Sequence, residues 1–316
     1  MADSYLPWTK VAESVAQIGF ATSSILGFIL ILLNIFGVRR MFGTYKHLMN
    51  IFTGLGIVFG TIEVVLYPNL HSYNAGYLLF TLSKPFNLQK NVLTMLLTLY
   101  TGVYSCTISL LAVQFIYRYW TIFSENNMKY FRGWKSVVWL IYCVSFGSLW
   151  AAGSFTFDKM DPISTKYFRK EMLTRYSALI EMTPAMSMVA YDPTNGSIRW
   201  WNLMCCVNMS FVMGVQYAVI IYCGVSMYLQ MEERLVNMSQ AMKQHHKQLF
   251  KVLVLQISAP TIILFTPVLF IVYLPFLNLE ISMPMGAVLC GFTFYPAMDA
   301  VIVMYVVTEY KKAAKS

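Results

Sequence analysis

The stretch that decides the fold is Leu99–Trp120, which reads LYTGVYSCTISLLAVQFIYRYW. It is largely apolar until Arg118, which lies among the aromatic residues Tyr117, Tyr119 and Trp120. A guanidinium group cannot lose its charge, so placing it beside a membrane core costs at least a few kcal/mol unless it faces water, headgroups or other helices. The stretch therefore predicts a membrane-spanning helix with a cation at one end.

One face of this helix is more polar than the rest. Counting back from Arg118 in steps of three and four residues gives Gln114, Leu111, Thr107, Tyr104 and Tyr100. Residues at this spacing share one helical face, and we expect that face to point towards other helices. Our interpretation is that its outer part contacts a ligand and that Arg118 contacts a signalling partner. The alternative is an arginine that anchors the helix at the membrane interface among packing aromatics.

The composition of the whole chain agrees with a membrane protein. Of its 316 residues, 58% are hydrophobic and only 12% are charged, whereas an ordinary soluble protein is roughly 25% charged. No basic segment precedes the first apolar run and no small-residue cleavage site follows it, so we expect this run to be retained as a span. The cysteines lie in apolar runs without CxxC spacing, and no paired catalytic residues are evident. We predict no metal, no cofactor and no enzymatic activity.

Seven apolar runs reach the roughly 20 residues that a helix needs to cross a bilayer. They are Val11–Val38, His47–Tyr67, Val92–Phe123, Ser136–Phe157, Trp200–Leu229, Leu249–Leu274 and Met285–Val307. The predicted fold is an all-α seven-transmembrane helix bundle, forming a single domain over residues 1–316. An open sheet exposed to lipid is excluded because its edge amides would lack hydrogen-bond partners.

Basic residues set the predicted orientation of the bundle. Lys and Arg are more numerous in the loops and tail on one side of the spans, which contain Arg39, Lys243, Lys247 and Lys251. The positive-inside rule places that side in the cytoplasm, with the N-terminus outside and the C-terminus inside. Because these cations flank spans instead of forming one patch, we predict a lipid bilayer as their surroundings and no nucleic-acid partner.

The long segment between the fourth and fifth spans, Asp158–Arg199, is placed outside by this topology. It contains the glycosylation triplet Asn195-Gly196-Ser197, which makes Asn195 the plausible acceptor. A short amphipathic helix around Lys166–Ile180 is also possible. The segment either caps a pocket or merely connects two spans, and the sequence leaves both readings open.

Glu63 and Asp299 are acidic residues inside predicted spans. Glu63 either lines an outer cavity or lies close enough to the headgroups to be hydrated. Asp299 follows Pro296 by about one turn, and we expect it near a polar residue such as Asn34 in the first span. Pro260 and Pro267 in the sixth span, with Pro296 in the seventh, predict kinks. Such kinks either act as pivots for helix motion or are static bends.

Four motifs carry a resemblance to a known family. They are Gly43–Met49 (GTYKHLM), Gln114–Tyr119 (QFIYRY), Lys247–Gln256 (KQLFKVLVLQ) and Phe294–Asp299 (FYPAMD). Together they resemble the nematode seven-transmembrane chemoreceptors of the str class, which include odorant receptors. The resemblance covers nearly the whole chain.

The resemblance implies a G protein-coupled receptor of sensory-neuron cilia that binds small volatile or water-soluble compounds. Arg118 is similar to the arginine that ends the third helix in rhodopsin-like receptors, and Tyr295-Pro296 with Asp299 resembles their seventh-helix switch. Two features depart from that pattern. The acid that usually precedes the arginine is Tyr117 here, and Asp158–Arg199 contains no cysteine for a disulfide bond to the third helix.

The leading hypothesis is therefore a ligand-operated switch coupled to a heterotrimeric G protein. A small odorant would bind in the outer half of the bundle, and the inner half of the sixth helix would then move. The expected ligand-pocket residues are Tyr100, Tyr104, Glu63, Asn202, Phe270 and Phe292. The expected switch residues are Pro260, Pro267, Tyr295, Pro296, Asp299 and Asn34. The expected G-protein contacts are Arg118, Tyr117, Tyr119, Arg39, Lys243, Lys247 and Lys251.

The alternative is a ligand-gated ion channel or a transporter of the plasma membrane. Seven spans and two intramembrane acids permit that class. However, the sequence contains no evident inverted repeat and no ring-forming acidic motif, which are features of such proteins.

Overall fold

The structure is a computed structural model that describes residues 4–37, 45–235 and 254–306. Within these ranges, seven helices are long and apolar enough to cross a membrane. They are α1 (Leu6–Phe36), α2 (Tyr45–Leu66), α3 (Lys90–Phe123), α4 (Gly133–Phe157), α6 (Trp200–Leu229, continuing to Leu235), α7 (Val254–Leu277) and α8 (Gly286–Met304). An additional helix, α5 (Pro162–Tyr176), lies between α4 and α6. The predicted seven-helix bundle is confirmed.

Helix α3 occupies the centre of the bundle. Its apolar stretch is 72% buried, against 22% for α4, and it packs against α2, α4 and α6. The polar face predicted from Tyr100 to Gln114 is buried along its whole length. A polar stripe is tolerated at membrane depth only where other helices cover it. The central position of α3 therefore explains why its sequence mixes serines and threonines with apolar residues.

A four-stranded antiparallel sheet covers one end of the bundle, and the sequence analysis did not predict it. The strands are β1 (Asn69–Tyr73), β2 (Gly76–Phe80), β3 (Ala185–Val189) and β4 (Ser282–Pro284), in the order β3-β2-β1-β4. They come from three different interhelical segments. Each strand has five residues or fewer, so none carries a long alternating pattern that the sequence would reveal.

Helix α5 packs on the outer face of this sheet and makes a second small core. Leu78 and Phe80 of β2 contact Phe168, Met172 and Tyr176 of α5. The helix begins earlier than the predicted Lys166 because the Asp161 side chain accepts a hydrogen bond from the Ser164 amide at 2.7 Å and caps it. The segment between the fourth and fifth spans is thus a cap over the bundle. It is more than a connection between two spans.

Helices α3 and α4 approach closely at two glycines. A methyl group added at Gly147 would lie 3.0 Å from the carbonyl oxygen of Gly102 and would also meet the thiol of Cys106. That thiol in turn donates to the carbonyl of Cys143 at 3.4 Å. Small residues that let two backbones approach are a common basis of helix association in membranes.

We expect Gly147→Ala to lower the free energy of unfolding by about 1–3 kcal/mol, because a backbone oxygen cannot move away as a flexible side chain can. The measurement is the melting temperature of the purified protein in detergent. Gly214→Ala is the matched control, since a methyl group there meets no atom within 4 Å. An equal change in the two variants would contradict the close packing of α3 against α4.

Candidate functional site

A small cavity lies beneath the sheet, among α3, α4, α6, α7 and α8. Its volume is about 70 Å³. Its walls are mostly apolar, and Tyr77, Leu79 and Met186 close it from the sheet side. Concave, largely apolar sites with a few polar groups are typical of small-molecule binding. The cavity is therefore the candidate ligand site.

Three of the expected pocket residues line this cavity: Tyr100 and Tyr104 from α3, and Phe292 from α8. The Tyr104 hydroxyl donates to the carbonyl oxygen of Leu264 at 3.0 Å, and its ring lies 5.3 Å from that of Phe292. This hydrogen bond ties α3 to α7 at the level of the cavity. A molecule in the cavity would contact residues that hold these helices together.

Glu63 lies behind the cavity wall. Its side chain is completely buried, so the reading of a carboxylate hydrated at the headgroups does not hold. The Tyr100 hydroxyl donates to Glu63 Oε2 at 2.8 Å, and the Tyr100 ring stacks on Phe59 at 5.0 Å. Glu63 therefore orients a cavity tyrosine without itself lining the cavity.

Asn202 and Phe270 lie away from the cavity. The Asn202 amide donates to the carbonyl of Phe157 at 2.8 Å and joins α6 to the end of α4. Phe270 is 50% exposed, because the face of α7 that lines the cavity carries Val268, Ile271 and Val272. The structure thus places neither Phe270 nor Asn202 in the wall of this cavity.

Asp158 and Ser154 line the cavity, although the sequence analysis did not assign them to it. The Tyr77 hydroxyl donates to Asp158 Oδ2 at 2.8 Å. Burial raises the pKa of the Asp158 carboxyl to about 6, and the hydrogen bond from Tyr77 offsets part of this effect. The available signal was the acid immediately after the fourth apolar run, with a serine one helical turn before it.

At the opposite end of the bundle, the partly buried Arg118 joins a polar network across four helices, in which Gln256 and Asp299 are buried. Its Nε donates to the Tyr45 hydroxyl at 2.8 Å, and Nη1 donates to Gln256 Oε1. Gln256 Nε2 donates to Asp299 Oδ1 at 3.2 Å. A neutral amide thus lies between a cation and a carboxylate, and it links α3 to α7 and α8. Gln256 was not among the expected site residues.

Comparisons with known proteins identify the family of the chain. The family model described as "Serpentine type 7TM GPCR chemoreceptor Str" matches residues 12–315. The chain belongs to this family. It is 34% identical over 308 residues to "G-protein coupled receptor str-33" of Caenorhabditis elegans, covering 96% of this chain and 89% of that protein. It is 27% identical over 311 residues to "Serpentine receptor class r-10" of the same species, covering 96% and 90%.

As a member of the Str family, the chain is a multi-pass membrane protein of the G protein-coupled receptor class. Members of this class are generally not enzymes. The resemblance seen in the four sequence motifs is confirmed. Each of the four motifs contains one residue of the network. These residues are, in chain order, Tyr45, Arg118, Gln256 and Asp299.

Among the expected switch residues, Asn34 and Tyr295 lie in the half of this chemoreceptor that contains Arg118. Asn34 donates to Asn50 at 2.7 Å and joins α1 to α2, while the hydrogen bond to Asp299 comes from Gln256. Tyr295 is buried, with its ring 6.0 Å from that of Phe52.

The sixth span is locally widened between Pro260 and Pro267. Thr261–Phe265 form a turn of π-helix that follows Pro260, and Thr266 Oγ1 donates to the carbonyl of Thr261 at 2.7 Å. Pro267 has no backbone N–H to donate to the preceding turn, so the local change of helical pitch at this point has an identifiable cause. In α8, Pro296 packs against α2 so closely that a methyl group at Gly56 would lie 2.6 Å from its ring.

The remaining expected coupling residues divide into two groups. Tyr117 stacks on Tyr45 at 5.3 Å, and the Tyr119 ring lies 5.9 Å from that of Tyr222. Arg39, Lys243, Lys247 and Lys251 lie outside the described residues. Asn195 is exposed in a turn at the sheet end, where its side-chain oxygen accepts from the Ser197 amide at 2.9 Å.

Proposed function

We propose that this receptor binds a small odorant in the cavity beneath the sheet and signals to a heterotrimeric G protein through the Arg118 network. One observation carries the proposal: the same three helices contribute to both sites. Helix α3 supplies Tyr104 and Arg118, α7 supplies Val268 and Gln256, and α8 supplies Phe292 and Asp299. A ligand that changes the packing at one end therefore acts on helices that hold the network at the other.

The prolines of α7 and α8 support this connection. Pro260 and Pro267 of α7 lie between its cavity residues and Gln256, and Pro296 of α8 lies between Phe292 and Asp299. Missing backbone hydrogen bonds make these positions pivots about which the two halves of a helix can rotate. A ligand needs only a different affinity for the two arrangements to shift their populations.

The names of the relatives support the same class of activity. One relative is named as a G-protein coupled receptor and another as a serpentine receptor. We infer that this receptor works at the plasma membrane, in the sensory cilium of a chemosensory neuron. The lipid bilayer surrounds the seven spans, and the basic residues near Lys247 would contact the G protein.

The test is a panel of small volatile compounds applied to cells that express the full chain, a promiscuous G protein and a calcium reporter. We expect at least one compound to raise calcium in these cells and not in cells lacking the receptor. Ligand-evoked current in vesicles that contain only this protein would instead support the channel or transporter alternative.

Orientation provides a separate prediction. With the N-terminus outside, a tag there should bind antibody in intact cells, and a C-terminal tag should need permeabilisation. The sheet end is then extracellular, so wild-type protein should lose apparent mass on glycosidase treatment, and Asn195→Gln should not. Asn237→Gln, in the triplet of the predicted cytoplasmic loop, is the control and should keep the glycan. An N-terminal tag reached only after permeabilisation would contradict the receptor topology.

A further inference from the structure

Two buried polar atoms at the C-terminal end of α4 lie at the cavity and have no hydrogen-bond partner among the described residues. They are Ser154 Oγ and Asp158 Oδ1. Ser154 is 0% exposed and Asp158 is 3% exposed. Four residues apart, the two side chains lie on the same side of the chain. A buried polar atom without a partner is destabilising, and more so if it is charged, so this pair points to a polar group of a ligand.

The charge around Asp158 is unbalanced. Tyr77 satisfies Oδ2, and the thiol of Cys205 lies beside both Asp158 and Ser154. A thiol is only a weak donor. The residues that line the cavity include no lysine, arginine or histidine. A buried carboxylate without a nearby cation is unfavourable, and a ligand that brings a positive charge would relieve this cost.

We propose that the cavity binds a small aliphatic primary amine in its protonated form. The ammonium group donates to Asp158 Oδ1 and Ser154 Oγ, and the alkyl chain lies against the apolar walls. The proposal rests on the proposed function, since it assigns a chemical class to the ligand of that same cavity. Like the lysine side chain, whose pKa is near 10.4, such an amine is cationic at neutral pH.

The walls and the size of the cavity limit the alkyl chain. Trp150 and Tyr104 meet edge to face at 5.6 Å, and they add aromatic surface beside the apolar Met209 and Val268. Aromatic faces attract cations as well as alkyl groups. At about 70 Å³, the cavity is smaller than the roughly 150 Å³ that admits benzene. The smaller space favours a short alkyl chain of no more than about four carbons.

The same two groups disfavour other volatile compounds. A ketone or an ester presents only acceptor oxygens, which the carboxylate of Asp158 repels. A primary alcohol can donate to Asp158 and accept from Ser154, but it leaves the buried charge unbalanced. The expected order of affinity is therefore butylamine, then butan-1-ol, then butan-2-one, which have similar size.

The test uses the purified full-length receptor in lipid nanodiscs and needs no G protein. The melting temperature is measured against the concentration of each of the three compounds at pH 7.4, because a ligand that binds the folded state raises it. We expect Asp158→Asn to weaken butylamine binding about ten- to hundred-fold, the range for a hydrogen bond to a charged group. Asparagine keeps an acceptor for Tyr77, so the variant should fold. Ser154→Ala should have a smaller effect in the same direction.

Asp192→Asn is the matched control. Asp192 lies in the turn at the sheet end, where it accepts from the Thr194 amide at 2.8 Å, and it is not part of the cavity. It should leave butylamine binding unchanged. Stabilisation by butan-2-one equal to that by butylamine, or butylamine binding that Asp158→Asn leaves intact, would overturn the proposal.

The dependence on pH gives a second readout. Butylamine binding should weaken as the pH falls through about 6, because the free carboxyl of Asp158 then becomes neutral. The titratable groups facing Asp158 are Tyr77 from β2, with Cys205 and Cys206 from α6. Ordinary phenols and thiols are already protonated below pH 7 and add no charge change there. Absence of any butylamine binding would overturn this inference alone, whereas receptor cells silent to every compound would overturn the proposed function.

Discussion

Replacing Arg118 with alanine is expected to abolish ligand-evoked G-protein signalling while the receptor still reaches the cell surface. Arg118 is the cation at the end of the most buried span, and it is held by Tyr45 and Gln256. A G protein that recognises the active receptor loses a charged donor in Arg118→Ala, and a neutral methyl group cannot replace it. The measurements are calcium responses to an active compound and surface staining of an N-terminal tag.

The matched control is Arg169→Ala. Arg169 lies on α5 at the sheet end, and its guanidinium pairs with Glu181 in an exposed position. Surface ion pairs of this kind contribute about 0–1 kcal/mol, so this variant should signal normally. Stabilisation of purified Arg118→Ala by the active compound separates a coupling defect from misfolding, since ligand binding should be retained. Normal signalling by Arg118→Ala would contradict the role of the network.

The sequence was sufficient to predict that Arg118 and Asp299 are site residues, because a charged side chain is unfavourable in contact with lipid. Their position within spans requires them to face the bundle, whatever the detailed packing. The partner could not be predicted in the same way. Gln256 is uncharged, and many polar residues lie at a comparable depth. The three-dimensional arrangement of α3, α7 and α8 was needed to select it.

The cavity shows a second limit of sequence analysis. The spacing of Tyr100 and Tyr104 on one helical face is a local property, and both residues line the cavity. The strands that close it pair across distant segments, as β1 does with both β2 and β4. Short strands with such partners carry little local signal. The sequence analysis therefore placed Asp158 in a loop. In the structure the sheet covers its carboxyl group, and this burial raises its pKa.

The substitution Gln256→Leu is expected to raise basal signalling, measured without ligand, about tenfold. Gln256 connects Arg118 of α3 to Asp299 of α8 and is 2% exposed. Leucine fills a similar volume but makes neither hydrogen bond. Loss of about 1.4 kcal/mol from the resting arrangement changes its population relative to the active one tenfold. The measurement is basal reporter activity, normalised to surface staining.

Gln216→Leu provides the control for this last prediction. Gln216 is also a buried glutamine, and it accepts a hydrogen bond from Tyr142 at 2.7 Å between α6 and α4, away from Arg118. If the network restrains the resting receptor, only Gln256→Leu should raise basal activity. Adding Arg118→Ala to Gln256→Leu should then silence the receptor, because the proposed mechanism assigns the contact with the G protein to the released guanidinium. Unchanged basal activity in Gln256→Leu would mean that the resting state is held by contacts other than this network.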